Sequence, residues 1–143
     1  LSKRSDINLD MSLRDDFQEE NPERVHLAEY LNKGIIDEWP EFINKNSDYG
    51  EIICRCEMVT RGEIIEAINR PVPAKSLDAI KRRTRAGGGR CQGGFCSPRV
   101  LSILADELGV SPVDINKKGQ RSELLMAEAK ELIREKAGVN NDS

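Results

Sequence analysis

Four cysteines constrain this chain more than anything else in it. They are Cys54, Cys56, Cys91 and Cys96, a C-x-C pair, then 34 residues, then a C-x4-C pair. Two close pairs separated by a longer insert bring four soft ligands to one site. Each pair sits on one tight turn, and the insert folds back to close the tetrad. Four thiolates suit Zn²⁺ or an iron–sulfur cluster, because both take soft sulfur ligands. Three blander readings fit less well. Paired disulfides belong with cysteine-dense secreted scaffolds, and four cysteines in 143 residues do not make one. A thiol–disulfide redox pair ordinarily uses C-x-x-C, which is absent. Unrelated buried thiols would have no reason to cluster in two pairs.

The second pair lies in Gly87-Gly88-Gly89-Arg90-Cys91-Gln92-Gly93-Gly94-Phe95-Cys96, which holds five of the chain's 11 glycines. Glycine lets backbone N–H groups approach a ligand with no Cβ in the way. Thiolates and inorganic sulfides accept such bonds, and the bonds tune a cluster's potential. Gly88, Gly89, Gly93 and Gly94 are the candidate positions. Ser97-Pro98 reads as N-cap and first turn of a helix from about 98 to 108. Val100, Leu101, Leu104 and Leu108 share its face, and Gly109 is its C-cap. Cys96 then stands just before a helix N-terminus, where the macrodipole favours negative charge.

Charge follows the same logic. Between Cys54 and Arg99 there are ten basic and four acidic residues, in a chain whose formal net charge is −3. Two ferric ions, two sulfides and four thiolates sum to minus two, and one added electron makes minus three. A cationic shell favours such a centre and raises its potential. Lys81, Arg82, Arg83 and Arg85 equally suit the solvated C-terminal end of a helix.

Local signals give the remaining elements. Thr60 and Glu63 have capping-box spacing, followed by an Ile64, Ile65 and Ile68 stripe that stops before Pro71. Ser76 opens another helix with Leu77 and Ile80 inward. Ile52 and Ile53 form a brief extended approach to the first pair, with little room for a sheet. Residues 1–20 read as a linker or partly ordered arm. Asn21-Pro22 opens a helix that ends at Gly34, with Leu27, Ala28 and Leu31 on one side and His26 on its surface. Trp39-Pro40 interrupts, and 41–46 adds a turn of helix. Trp39, Phe42 and Ile43 are expected to pack on the cysteine region or on another domain. Residues 122–137 form a helix with a Leu125, Ala129, Leu132 and Ile133 stripe, stopped by Gly138, and 140–143 fray.

Composition excludes several function classes. A near-balanced charge and 4% aromatics argue against nucleic-acid binding. The longest apolar run, 124–127, is too short for a signal-peptide core or a membrane span. One histidine removes every site that needs two imidazoles, and no GxGxxG follows a strand. The chain opens at Leu1 rather than Met, which reads as a piece of a longer or processed product.

Ile53-Cys54-Arg55-Cys56-Glu57, Arg82-Arg83-Thr84-Arg85-Ala86-Gly87 and Gly89-Arg90-Cys91-Gln92-Gly93-Gly94-Phe95-Cys96 together resemble the bacterioferritin-associated-ferredoxin-like (BFD-like) [2Fe–2S] domain. The version most similar is the one at the C-terminus of FAD-dependent, anaerobic-type glycerol-3-phosphate dehydrogenases. Asp48-Tyr49-Gly50-Glu51-Ile52-Ile53 and Pro98-Arg99-Val100 fit that subgroup too. The C-x4-C second pair departs from the C-x-x-C of the stand-alone ferredoxin and points to the oxidoreductase-fused version. The resemblance implies an all-α fold and one [2Fe–2S] cluster on Cys54, Cys56, Cys91 and Cys96. It divides the chain into an extension (1–46), the cluster domain (47–118) and a C-terminal helix and tail (119–143). It implies a flavin domain, with its FAD, in the same parent protein N-terminal to Leu1. Further electron-transfer subunits and a cytoplasmic location, peripheral to the membrane at most, follow from it. The chain alone is not expected to oxidise glycerol 3-phosphate. A redox-silent Zn²⁺ module on the same cysteines, or a free ferredoxin-like protein, is the alternative.

Overall fold

The computed structural model describes residues 25–137. Its architecture is mostly helical, with six α-helices and one two-stranded antiparallel sheet among the described residues. Asn21-Pro22 lie outside them, but the helix that ends at Gly34 starts only at Leu27, because His26 before it is extended, which corrects the expected opening at Asn21-Pro22. The proposed Gly138 stop and the 140–143 tail also lie outside.

Helix α1 (Leu27–Lys33) ends at Gly34, whose φ of 69° makes the left-handed C-cap expected of it. Leu27 is buried, but Leu31 is exposed, so the expected stripe is only half used. Helix α2 (Trp39–Lys45) begins where an interruption was expected. Pro40 lies in its first turn, where a missing N–H costs nothing, so the proline starts the helix. Tyr30, Trp39, Phe42 and Tyr49 form one aromatic cluster, with the Trp39 centroid 5.3 Å from Tyr30, 5.3 Å from Phe42 and 5.9 Å from Tyr49. The Trp39 indole N–H donates to the Tyr49 carbonyl at 3.1 Å. The aromatic layer therefore rests on the segment that leads into the first cysteine pair. Tyr49 continues the contact inward by lying flat on Gly62, where a Cβ would stand 2.8 Å from its ring.

Strand β1 (Ile52–Cys54) pairs with strand β2 (Val59–Thr60), joining Ile52 to Thr60 and Cys54 to Val59 across a bulge. The extended approach was expected; its two-residue partner is too short to leave a periodic signal. Thr60 then caps helix α3 (Arg61–Asn69), and both hydrogen bonds of the capping box are present. Helix α4 (Leu77–Thr84) is capped by the Ser76 hydroxyl, which accepts from the Ala79 N–H at 3.3 Å. Helix α5 (Ser97–Leu108) ends on left-handed Gly109. Its N-cap is Cys96 rather than Ser97, because Ser97 is already helical and its N–H donates to the Gly93 carbonyl at 2.9 Å.

These three helices close over one core. Ile64, Ile80 and Leu104 are fully buried, with Ile53, Val59, Ile68, Val100, Ile103 and Ile115 around them. Cys54 and Cys96 belong to the same cluster of buried residues, so the core itself fixes half of the cysteine set. Arg99 in the first turn of α5 donates to the Ile52 carbonyl at 3.1 Å, which ties α5 to β1 beside both cysteine pairs.

The C-terminal segment departs from expectation. Helix α6 spans only Ala129–Ala137. Ser122 does not open it, because its carbonyl accepts from the Lys117 N–H and its hydroxyl from the Lys118 and Gly119 N–H groups. A bridge between Asn116 and Glu123 completes a hairpin-like turn there. Leu125, Ala129, Leu132 and Ile133, expected as a docking stripe, are all exposed.

Candidate metal centre

The first pair straddles the end of β1: Cys54 is its last residue, and Cys56 lies in the turn that follows. The chain reverses between them and β2, with Met58 in the left-handed region at φ 51°. Cys54 is 1% exposed, while Cys56 stands on the open edge of the turn.

The second pair lies on the connection from α4 to α5. Arg85 ends α4 in the left-handed conformation, and the Gly88 N–H closes back onto the Arg85 carbonyl at 2.8 Å. Gln92 reaches back through its side-chain amide to the Gly89 carbonyl at 2.9 Å. Gly93, at φ 85°, swings the chain into α5. Cys91 is thus half-buried on the loop and Cys96 is buried at the helix start.

All four cysteines line one cavity of about 420 Å³, together with Ile53, Arg55, Phe95 and Arg99. They stand in two pairs. Cys56 Sγ is 3.8 Å from Cys91 Sγ, and the Cys96 thiol stands alongside Cys54. Two thiolates on one tetrahedral ion, with zinc–sulfur bonds of about 2.3 Å, stand about 3.8 Å apart. Among the described residues, no three His, Cys, Asp or Glu side chains converge as a single ion would require. Two pairs facing one cavity match two metal ions more closely than one.

The two ends of the cavity differ electrostatically. The Phe95, Gly93 and Gly94 N–H groups bond the Cys91 sulfur and hold its thiol below the ordinary value. Burial, with Cys54 alongside, pushes the Cys96 thiol up to about 11. Of the glycines singled out by sequence, Gly93 and Gly94 direct N–H groups at a cysteine. The Gly88 N–H serves the turn instead. Gly89 acts by size: a Cβ there would lie 2.3 Å from Cys56 Cβ.

Half of the ten basic residues between Cys54 and Arg99 meet carboxylates. Arg85 meets Glu57 at 2.6 Å, Arg61 meets Asp48 at 3.2 Å, and Arg82, Arg70 and Arg99 also meet carboxylates. Arg55 and Arg90, each beside a cysteine, have no carboxylate partner among the described residues.

One residue was missed in the sequence. His26 is not a surface histidine: it is half-buried at the N-cap of α1, with Nδ1 3.1 Å from buried Glu63. The contact joins distant parts of the chain, so no local pattern reports it. Bonding to Glu63 lifts the imidazole above its ordinary 6.5 against partial burial, with Glu29 and Glu66 adding to the effect. A raised folded-state value means that the pair stabilises the docked α1 fully below pH 6.5, the unfolded value. That contribution is lost as pH rises through the higher folded value. Amide protection factors in α1 are expected to fall as pH rises above 6.5. His26→Ala should flatten the profile; an unchanged slope would contradict the role of the pair.

Residues 52–106 match the family described as the BFD-like [2Fe–2S] binding domain. The chain is 50% identical over 110 residues to a glycerol 3-phosphate dehydrogenase of Caloramator mitchellensis, covering 77% of this chain and 23% of that protein. It is 39% identical over 71 residues to an opine oxidase subunit from Rhizobium meliloti, covering 50% of this chain and 13% of that one. It is 35% identical over 68 residues to a subunit of the anaerobic glycerol-3-phosphate dehydrogenase of Escherichia coli K12, covering 48% and 12%. The chain therefore spans less than a quarter of the length of these relatives. No solved structure matches. No helix among the described residues is long and apolar enough to cross a membrane.

Proposed function

We propose that residues 52–106, which match the BFD-like [2Fe–2S] binding domain, hold one [2Fe–2S] cluster on Cys54, Cys56, Cys91 and Cys96 that serves a flavin-dependent dehydrogenase. The observation that carries the reading is the single cavity lined by all four cysteines in two pairs. The donor set is all sulfur, as such a cluster takes. When bound, the cluster supplies one-electron redox capacity.

The chain's own residues set the conditions. Cys54 and Cys96 anchor the site in the apolar core. The N–H groups around Cys91 favour negative charge on its sulfur. Arg55 adds uncompensated positive charge in the lining, and Arg90 adds more beside Cys91 in the chain. The cluster domain is taken as residues 47–118, with 1–46 and 119–143 as extensions. The parent enzyme is proposed to oxidise glycerol 3-phosphate or a related substrate at an FAD in a separate domain N-terminal to this chain. Electrons then leave one at a time, toward other subunits.

Anaerobic mixing of the cluster-loaded chain with chemically reduced FAD separates a relay from a structural role. Uptake of about one electron per chain, seen as bleaching and an electron paramagnetic resonance signal, is the expected result. A loaded chain that stays oxidised would leave the cluster structural.

A further inference from the structure

The cavity is asymmetric, and the asymmetry assigns roles to the individual cysteines. Cys54 and Cys96 are 1% and 2% exposed and stand alongside each other. Cys56 is exposed, Cys91 is half-buried, and their sulfurs stand 3.8 Å apart. This second couple combines the spacing of two ligands on one ion with a face open to solvent. Each C-x-C or C-x4-C pair is thereby split between the two ends.

We propose that Cys56 and Cys91 share one iron, Cys54 and Cys96 share the other, and the electron taken up by the cluster settles on the Cys56–Cys91 iron. The inference rests on the [2Fe–2S] reading above. The step is a one-electron transfer from reduced flavin, or from dithionite in the test. One ferric ion becomes ferrous, no bond forms or breaks, and the site becomes more negative by one charge.

Three features place that charge at the outer end. The Phe95, Gly93 and Gly94 N–H groups lie around Cys91, that of Gly94 donating to its carbonyl at 3.0 Å, and N–H groups so placed favour added electron density on the thiolate. Solvent reaches Cys56, whereas the inner couple sits among Ile53, Val100 and Ile103, where added charge is poorly solvated. Arg55 lines the cavity between Cys54 and Cys56, Arg90 adjoins Cys91 in the chain, and neither is neutralised by a carboxylate among the described residues. The dipole of α5 opposes this, because Cys96 stands at its N-terminus. It acts through one helix end, against the N–H groups around Cys91, solvent and two cations.

The test is proton magnetic resonance of the dithionite-reduced, cluster-loaded chain. Cysteine β-protons on ferric iron shift far downfield and move back on warming. Those on ferrous iron shift less and move outward on warming. Cys54→Ser and Cys56→Ser assign the signals by deletion. If either loses its iron, assignment uses sequential Overhauser contacts from each cysteine to its own chain neighbours, Ile53 before Cys54 and Glu57 after Cys56. Ferrous behaviour of Cys56 and Cys91, with ferric behaviour of Cys54 and Cys96, is expected. Matching behaviour of Cys54 and Cys56, a ferrous inner couple, or equal shifts on all four would overturn the assignment. A chain that binds zinc, or no iron, shows no such signals; that overturns the [2Fe–2S] reading itself.

Discussion

Alanine in place of Gly89 is expected to lower metal affinity about 10–100-fold, the scale seen when residues that position ligands are changed. Its Cβ would stand 2.3 Å from Cys56 Cβ and 3.1 Å from Glu57 Oε1. Ordinary carbon contacts lie at about 3.5–4.0 Å, so the two backbones must separate by more than an ångström. The atom struck is one bond from the Cys56 backbone, so no side-chain rotation relieves the clash. Forced overpacking of this kind costs about 1–3 kcal/mol or more. The strain falls on the contact that holds Cys56 beside Cys91. Gly109→Ala is the matched control: it carries a left-handed φ of 64°, yet a Cβ there meets nothing within 4 Å. It should lose some stability and keep its iron. Iron per chain after identical reconstitution checks both variants, and a fully loaded Gly89→Ala would refute the packing argument.

The second large effect is expected from Glu63→Ala, at about 2–4 kcal/mol of stability. Glu63 is 3% exposed, and one carboxylate oxygen accepts from both the N–H and the hydroxyl of Thr60 at 2.8 Å. The other oxygen takes His26 at 3.1 Å. Alanine strands two donors of fully buried Thr60 and releases α1 together. Each unsatisfied buried donor costs about 1–3 kcal/mol, less whatever water recovers. Glu63→Gln keeps an acceptor and should lose about half as much. Urea unfolding followed through Trp39, the single tryptophan, reads the difference. A loss below about 0.5 kcal/mol would place Glu63 outside the structural core.

Local chemistry was legible in the sequence wherever one turn of chain decides it. The Thr60–Glu63 box, the Ser76 cap, the glycine stops at Gly34 and Gly109, and the Ile64–Ile68 stripe all form as written. The cysteine spacing and its glycine-rich setting pointed to a common site, and the chain brings the four around one cavity. Distant contacts left no such mark. His26 meets Glu63 only because α1 folds onto α3, and Gly89 matters only because the first cysteine turn lies against it. The apolar spacing from Leu125 onward looked like one long helix, but hydrogen bonds to Ser122 hold the preceding segment in a turn. Pro40 misled in the opposite sense, since a proline breaks a helix interior but suits its first turn.

The central claim is that this chain carries a two-iron cluster on its four cysteines. Iron, acid-labile sulfide and zinc should be counted on anaerobically purified protein, with visible spectra before and after dithionite. About two irons and two sulfides per chain, with colour that bleaches on reduction, are expected. One zinc and no sulfide, after expression with ample iron, would contradict the cluster and leave a redox-silent structural module.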